Sequence, residues 1–152
     1  MESLEPILSQ HPFLRGLDAA TLSLIVGCAS NVRFNANQVL FEEGDSASQV
    51  FIIRSGKVAI EMNVPGRGAV TIHTVDEGEI LGWSWLLPPY EWHFTARATE
   101  LTRAIALDAT CLRTKCEQDA RLGYELMKRF AGILEDRIES MRLQLLDIYS
   151  ER

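Results

Sequence analysis

The sequence predicts a mainly β domain with flanking helices, and three observations carry that prediction. Between residues 31 and 107 the apolar residues fall in short runs with a period near two, cut by clusters of Gly, Asn, Asp and Pro at the intervals of an all-β sandwich or barrel. Ahead of that stretch Asp18 stands where a helix would begin, followed by Leu22, Leu24, Ile25 and Cys28 at spacings a buried helical face tolerates. Behind it, after Leu107, there is no proline, the only glycines are Gly123 and Gly132, and Leu, Met, Glu and Arg dominate, which favours helix by intrinsic propensity.

Each element follows from its residues. The chain opens with an apolar segment from Leu4 to Leu8, then His11-Pro12-Phe13-Leu14 and Leu17. A helix is expected over 18–28, because the Asp18 carboxylate accepts from the free N–H groups of a first turn. In the β region, Phe51-Ile52-Ile53 and Val58, Ile60 and Met62 flank Ser55-Gly56, where glycine supplies the positive φ of a tight hairpin. A second hairpin is expected at Pro65-Gly66-Arg67-Gly68, with Val70 and Ile72 on one face of the returning strand. Ile105 and Leu107 mark the last strand. Along the C-terminal helix, Leu134, Ile138, Met141, Leu145 and Ile148 step by four, three, four and three, the seam of a coiled coil over about two heptads. These five residues are the candidate homodimer interface, unless the seam folds back on its own domain. Leu126, Phe130 and Ile133 form a second stripe, assigned to packing on the β region. The plan is one domain over 1–152, with N-terminal helices in 1–30, the β region in 31–108 and C-terminal helices in 109–149.

Composition bounds the function. With 152 residues, 47% of them apolar and 24% charged, the chain can bury roughly 70% of its unfolded surface in one core. No run approaches the ~20 uncharged apolar residues that span a bilayer. The start, Met1-Glu2-Ser3-Leu4-Glu5, carries acids where a secretory signal carries bases. A soluble cytoplasmic protein without a membrane partner is expected. A net charge of −6 with 15 Lys and Arg works against a phosphate backbone, so no direct DNA binding is expected. Cys28, Cys111 and Cys116 fit neither an even disulfide framework nor a C-x-x-C spacing, and read as buried or half-buried free thiols.

Catalysis finds no foothold. His11, His73 and His93 are widely separated and no His-x-His pair has a glutamate beside it, so the metal site of a cupin-type barrel is not expected. There is no nucleophile elbow, Walker loop or Ser/His/Asp order. No catalytic residue is assigned and no cofactor is required.

Several motifs in order carry a resemblance: Phe13-Leu14-x-x-Leu17, Leu40-Phe41-x-Glu43-Gly44-Asp45, Phe51-Ile52-Ile53-x-Ser55-Gly56-x-Val58, and Gly78-Glu79-Ile80-x-Gly82, followed by a long helix. Together they resemble the cyclic nucleotide-binding domain of CRP/FNR-type regulators over almost the whole chain. The resemblance implies an eight-stranded β-roll, jelly-roll-like, with a phosphate-binding cassette between two later strands and a hinge-like C-terminal helix. It implies a regulatory sensor that couples a cyclic nucleotide or other small anionic ligand to that helix. Gly78 and Gly82 bracket a segment where backbone N–H groups can approach an anion, or they are bends at a corner of the roll.

The chain departs from the family at two positions. In members that bind cyclic AMP or cyclic GMP, an acid after the second glycine takes the ribose 2′-hydroxyl and an arginine further on pairs with the cyclic phosphate. Here these positions hold Trp83 and Trp92, and residues 88–94 contain no Arg or Lys. The helix positions that would reach a nucleobase fall on Leu134 and Glu135. At about 1.5 to 3 kcal/mol per charged hydrogen bond, the two losses cost roughly 3 to 6 kcal/mol, or about two to four powers of ten in affinity.

What stands there instead is a cluster of aromatics, Trp83, Trp85, Tyr90, Trp92 and Phe94, which includes all 3 tryptophans of the chain. Such side chains suit a flat or apolar ligand, a partner surface, or a core that caps the roll. His93, when protonated, and Arg97 or Arg103 are the nearby cationic groups. The candidate ligand site is Gly82, Trp83, Ser84, Trp92, His93, Phe94 and Arg97. A dimeric scaffold with a degenerate pocket is the alternative function. Transcription regulators of this type place a helix-turn-helix after the long helix, and the chain ends before one fits.

Overall fold

In the computed structural model, which describes residues 4–150, the helix foreseen at Asp18 forms as its cap dictates. The acidic start Met1-Glu2-Ser3 lies outside the described residues. Asp18 is extended and its carboxylate accepts the Thr21 N–H at 2.8 Å, opening α2 (Ala19–Val26). Leu22 and Ile25 are buried on its inner face, and the helix stops at Val26, two residues short of the expected end. Before it, α1 (Glu5–Gln10) carries proline in its first turn, where the missing N–H costs nothing.

Eight strands follow: β1 (Ala29–Phe34), β2 (Val39–Phe41), β3 (Gln49–Ser55), β4 (Lys57–Val64), β5 (Gly68–Asp76), β6 (Ile80–Leu81), β7 (Thr95–Ala98) and β8 (Thr102–Asp108). They form two four-stranded antiparallel sheets, ordered β1-β8-β3-β6 and β2-β7-β4-β5. This is the expected β-roll. Its core is densest along β3 and β8, where Val50 to Ile53 and Ala104 to Leu107 are buried on both faces of the strands.

Of the two expected hairpin turns, one is corrected and one forms. Ser55-Gly56 is not a hairpin: β3 pairs with β6 and β8, whereas β4 pairs with β5 and β7, so the chain crosses there from one sheet to the other. Gly56 does take a positive φ of 101°, and a Cβ there would also run into the Thr102 backbone. Its glycine therefore answers two constraints, of which the sequence showed one. The β4–β5 hairpin turns at residues 65–67 as expected, with Arg67 N–H on Val64 O at 2.9 Å. A register shift beside Ile60 leaves Ile72 at a bulge and 43% exposed, whereas Val70 pairs with Met62 and is half-buried.

The chain divides into two compact units, Met1–Thr114 and Lys115–Arg152, and the boundary falls inside α3 (Ala109–Gln118). The second unit is dominated by α4 (Ala120–Ser150). Asp119 opens it by accepting from the N–H groups of Arg121 and Leu122 at 3.1 and 3.2 Å. Leu122, Leu126 and Phe130 are buried, and the seam that begins at Leu134 is exposed to the end of the helix.

The cysteine reading is also corrected. Cys28 and Cys111 form a disulfide across a sequence separation of 83, and Cys116 is free. The partners meet because β1 pairs with β8, which sets Ala29 opposite Leu107. Nothing in the local spacing of cysteines encodes a contact made by strands at opposite ends of the roll.

Candidate functional site

The loop between β6 and β7, residues 82–94, carries most of the predicted site. It begins at Gly82, whose φ of 98° suits glycine, and a Cβ on Gly82 would overlap the Trp92 ring. Trp92 itself is 3% exposed. Its indole stacks on Phe41 with centroids 3.8 Å apart and planes 9° from parallel. Its backbone is tied to the Glu43-Gly44-Asp45 turn: Trp92 N–H donates to Asp45 O at 2.9 Å, and Trp92 O accepts from Gly44 N–H at 2.8 Å. One step earlier, Tyr90 O accepts the Ala47 N–H at 2.7 Å, and Ser46 and Glu91 form an isolated bridge.

From Trp92 the rings continue in both directions. Phe94 lies 5.9 Å from Trp92, and Trp83 lies 6.3 Å from Phe94. On the other side Phe41 lies 6.3 Å from Phe51, which meets Phe34 edge-on at 5.7 Å. Gly82, Trp83, Trp92 and Phe94 are thus brought together, and Ser84 is buried in the same loop. Phe34, Phe41 and Phe51 complete the row. The sequence reading did not assign them to the site, although Phe41 and Phe51 stand in its recognised motifs.

His93 and Arg97 are not brought to the rings. His93 is exposed between buried Trp92 and buried Phe94. Arg97 alternates with buried Ala96 and Ala98 on β7, so it projects from the outer face of the sheet. There Arg97 Nε donates to Glu61 Oε1 at 3.2 Å and Nη1 to Asn37 O at 3.1 Å. Its guanidinium is engaged away from the roll interior. Arg103 is exposed on β8 opposite Arg33.

The tip of the loop is held by a residue the sequence did not flag. Arg113 of α3 donates from Nη1 to Trp85 O at 2.8 Å, and its guanidinium lies 4.2 Å above the Tyr90 ring. Trp85 is fully buried, and Tyr90 sits at a φ of 56° after the cis Pro88-Pro89 bond. The loop therefore gathers Trp92, Phe94 and Trp83 on its inner side, is tied to the Gly44 turn on one side and through Arg113 to α3 on the other, and leaves His93 and Arg97 facing out. Among the described residues no three His, Cys, Asp or Glu are grouped to hold a metal ion, and no helix is long and apolar enough to cross a membrane.

Comparison with known proteins agrees with this architecture. The sequence model of the cyclic nucleotide-binding domain matches residues 31–119. A cGMP-dependent protein kinase of Drosophila melanogaster is 23% identical over 155 residues, a match that covers 99% of this chain but only 14% of the kinase. The solved structure of a candidate cyclic nucleotide-binding protein from Geobacter metallireducens GS-15 superposes with a TM-score of 0.80 at 27% identity, covering 91% of this chain and 99% of that one. A cyclic nucleotide-binding domain from Methylobacillus flagellatus KT gives a TM-score of 0.82 at 16% identity, covering 96% and 86%. With its β-roll, its ordered motifs and a family match over more than half its length, the chain belongs to the cyclic nucleotide-binding domain family.

Proposed function

We propose that the chain is a cytoplasmic regulatory sensor module, not an enzyme, whose cassette is filled by Trp92 where family members place a cyclic nucleotide. Its input is a small molecule that replaces the indole, and its output is the C-terminal helix. The observation that supports this reading is the Trp92 ring, buried against Gly82 and stacked on Phe41. A ligand that approaches the Gly82 backbone has to displace that ring, and removing a large buried aromatic costs about 3 to 5 kcal/mol. A flat aromatic molecule restores those contacts. A cyclic phosphate meets no inward cation, since Arg97 is held by Glu61, and so brings nothing that offsets the loss.

The test is calorimetric titration of cyclic AMP and cyclic GMP into the wild type and the Trp83→Glu/Trp92→Arg double variant, with tryptophan fluorescence followed in parallel. We expect no saturable signal from the wild type up to millimolar nucleotide, and a gain of about two to four powers of ten in affinity when the acid and guanidinium are supplied. Micromolar binding by the wild type, or a folded double variant that gains nothing, would show that Trp92 is not what excludes the nucleotide.

A second reading is a dimeric scaffold with a degenerate pocket, and the exposed seam favours it. Leu134, Ile138, Met141, Leu145 and Ile148 are 36%, 48%, 57%, 55% and 58% exposed, a strip that a second copy of the helix would cover. Light scattering at micromolar concentration should return a homodimer for the wild type and a monomer for Ile138→Glu/Leu145→Glu. A wild-type monomer rules the scaffold out.

A further inference from the structure

The bond between Cys28 and Cys111 joins the residue directly before β1 to the first turn of α3, with Cα atoms 5.7 Å apart. We infer that this disulfide is a reversible redox tether on α3, opened and closed by exchange with a low-molecular-weight thiol, and that α3 passes its state to the cassette loop through Arg113.

The roll holds the two cysteines in place without the bond. Asp108 N–H donates to Cys28 O at 2.9 Å, directly beside the Ala29–Leu107 pair that ends the β1–β8 ladder. When the bond opens the sulfurs therefore stay close, and it can re-form. Within the folded state, what the bond adds falls on the start of α3. That turn is otherwise held by Ala109 N–H on Ser48 O at 2.9 Å and Cys111 N–H on Asp108 Oδ1 at 2.8 Å. Arg113, which carries both contacts to the cassette loop, follows two residues after Cys111.

Access and selectivity fit exchange at one sulfur. Cys28 is 8% exposed, whereas Cys111 is only half-buried, so attack is assigned to the more exposed residue, Cys111. Cys116, further along α3, is a poor competitor, because burial and the nearby carboxylates of Asp119 and Glu117 raise its pKa and keep it a thiol. In the forward step a small thiolate attacks Cys111 Sγ. The new S–S bond forms as the bond to Cys28 breaks, and the Cys28 thiolate leaves and takes a proton. A second small thiolate then attacks the outer sulfur of the mixed disulfide and releases the Cys111 thiolate, which is protonated. Two small thiols are oxidised to one disulfide while the protein disulfide is reduced to two thiols.

The test uses the full chain carrying Cys116→Ser, equilibrated in glutathione buffers from fully oxidised to fully reduced, with no nucleotide present. Thiols are counted by alkylation and mass spectrometry, near-ultraviolet circular dichroism reports the fold, and hydrogen exchange reports local protection. We expect no alkylated cysteine in the oxidised protein and both Cys28 and Cys111 alkylated in the reduced protein. The dichroism should be unchanged, and reduction should cause a loss of amide protection in residues 109–114 and 83–91. Cys28→Ser in the same background should show the reduced pattern of amide protection in every buffer, with Cys111 either free or joined to glutathione. Free thiols in oxidised glutathione would show that the bond does not form. Loss of near-ultraviolet signal on reduction would make the bond a structural staple, and identical protection in both states would leave it without a message to carry. Each of these results overturns the proposal.

Discussion

At the scale of single residues, His11 shows how a side chain the sequence left unassigned can govern stability. It is buried, its Nε2 lies 3.2 Å from Ile53 O, and its Nδ1 accepts the Phe13 N–H at 3.2 Å. Only the neutral ring with hydrogen on Nε2 satisfies both contacts. Burial pushes its pKa below the ordinary 6.5, against the opposing pull of the Ile53 carbonyl. The unfolded chain therefore binds the proton more readily than the folded one, so this contribution is complete above about pH 6.5 and is lost as the pH falls below it. The urea midpoint should drop as pH is lowered from 7 toward 5, and His11→Gln should flatten that dependence; a wild-type midpoint that does not move would refute it. Gly82→Ala tests the other buried contact. An L-residue held at a left-handed φ costs about 1 to 2 kcal/mol, and here the added carbon also meets the Trp92 ring, so a larger loss is expected on urea unfolding. The aromatic cluster was legible in the sequence because it fills positions where the family keeps charge. The side taken by His93 was not, because a loop carries no period that tells inward from outward, and the side taken by Arg97 follows only once Thr95–Ala98 is known to be a strand with Ala96 and Ala98 inward.

At the scale of elements, the signals that held were those with a local mechanism. Asp18 caps α2 by accepting the Thr21 N–H, so Asp18→Ala should cost about 1 kcal/mol and lower Tm by about 2–4 °C for a chain of this size. Calorimetry that finds no shift would mean the cap is redundant. The 65–68 hairpin was legible for the same reason, since its turn residues lie between strands that pair with each other. Ser55-Gly56 looked the same in sequence and proved to be a corner. What separates the two is the partner choice of β3 and β4, which is made by β8 and β7, strands far along the chain. The 72 bulge was hidden likewise, because a register shift is a property of two strands together. The Arg113 contact to the cassette needed two elements to be placed before it could be seen.

At the scale of the molecule, closure of the roll decides what the chain ends can do. Pairing β1 with β8 brings together residues that enter and leave the β region, and the Cys28–Cys111 bond cross-links the chain at that closure. Fold class was readable from alternation and motif order, but this closure was not, since no local pattern records it. Its energetic consequence follows from the length spanned. A cross-link across a separation of 83 removes loop-closure entropy from the unfolded chain worth about 4 to 5 kcal/mol in the chain-entropy model. The native ladder and the α3 cap remain without it, so the cost falls on the balance with the unfolded state and not on the fold itself. Cys28→Ser/Cys111→Ser should therefore keep the native dichroism in buffer and unfold at a lower urea concentration than the oxidised wild type. Its m-value should be larger, because the uncrosslinked chain exposes more surface when it unfolds. Cys116→Ser should change neither quantity. A double variant that matches the wild type in both midpoint and slope would mean that the bond does not constrain the unfolded chain, and that β1–β8 pairing persists in denaturant.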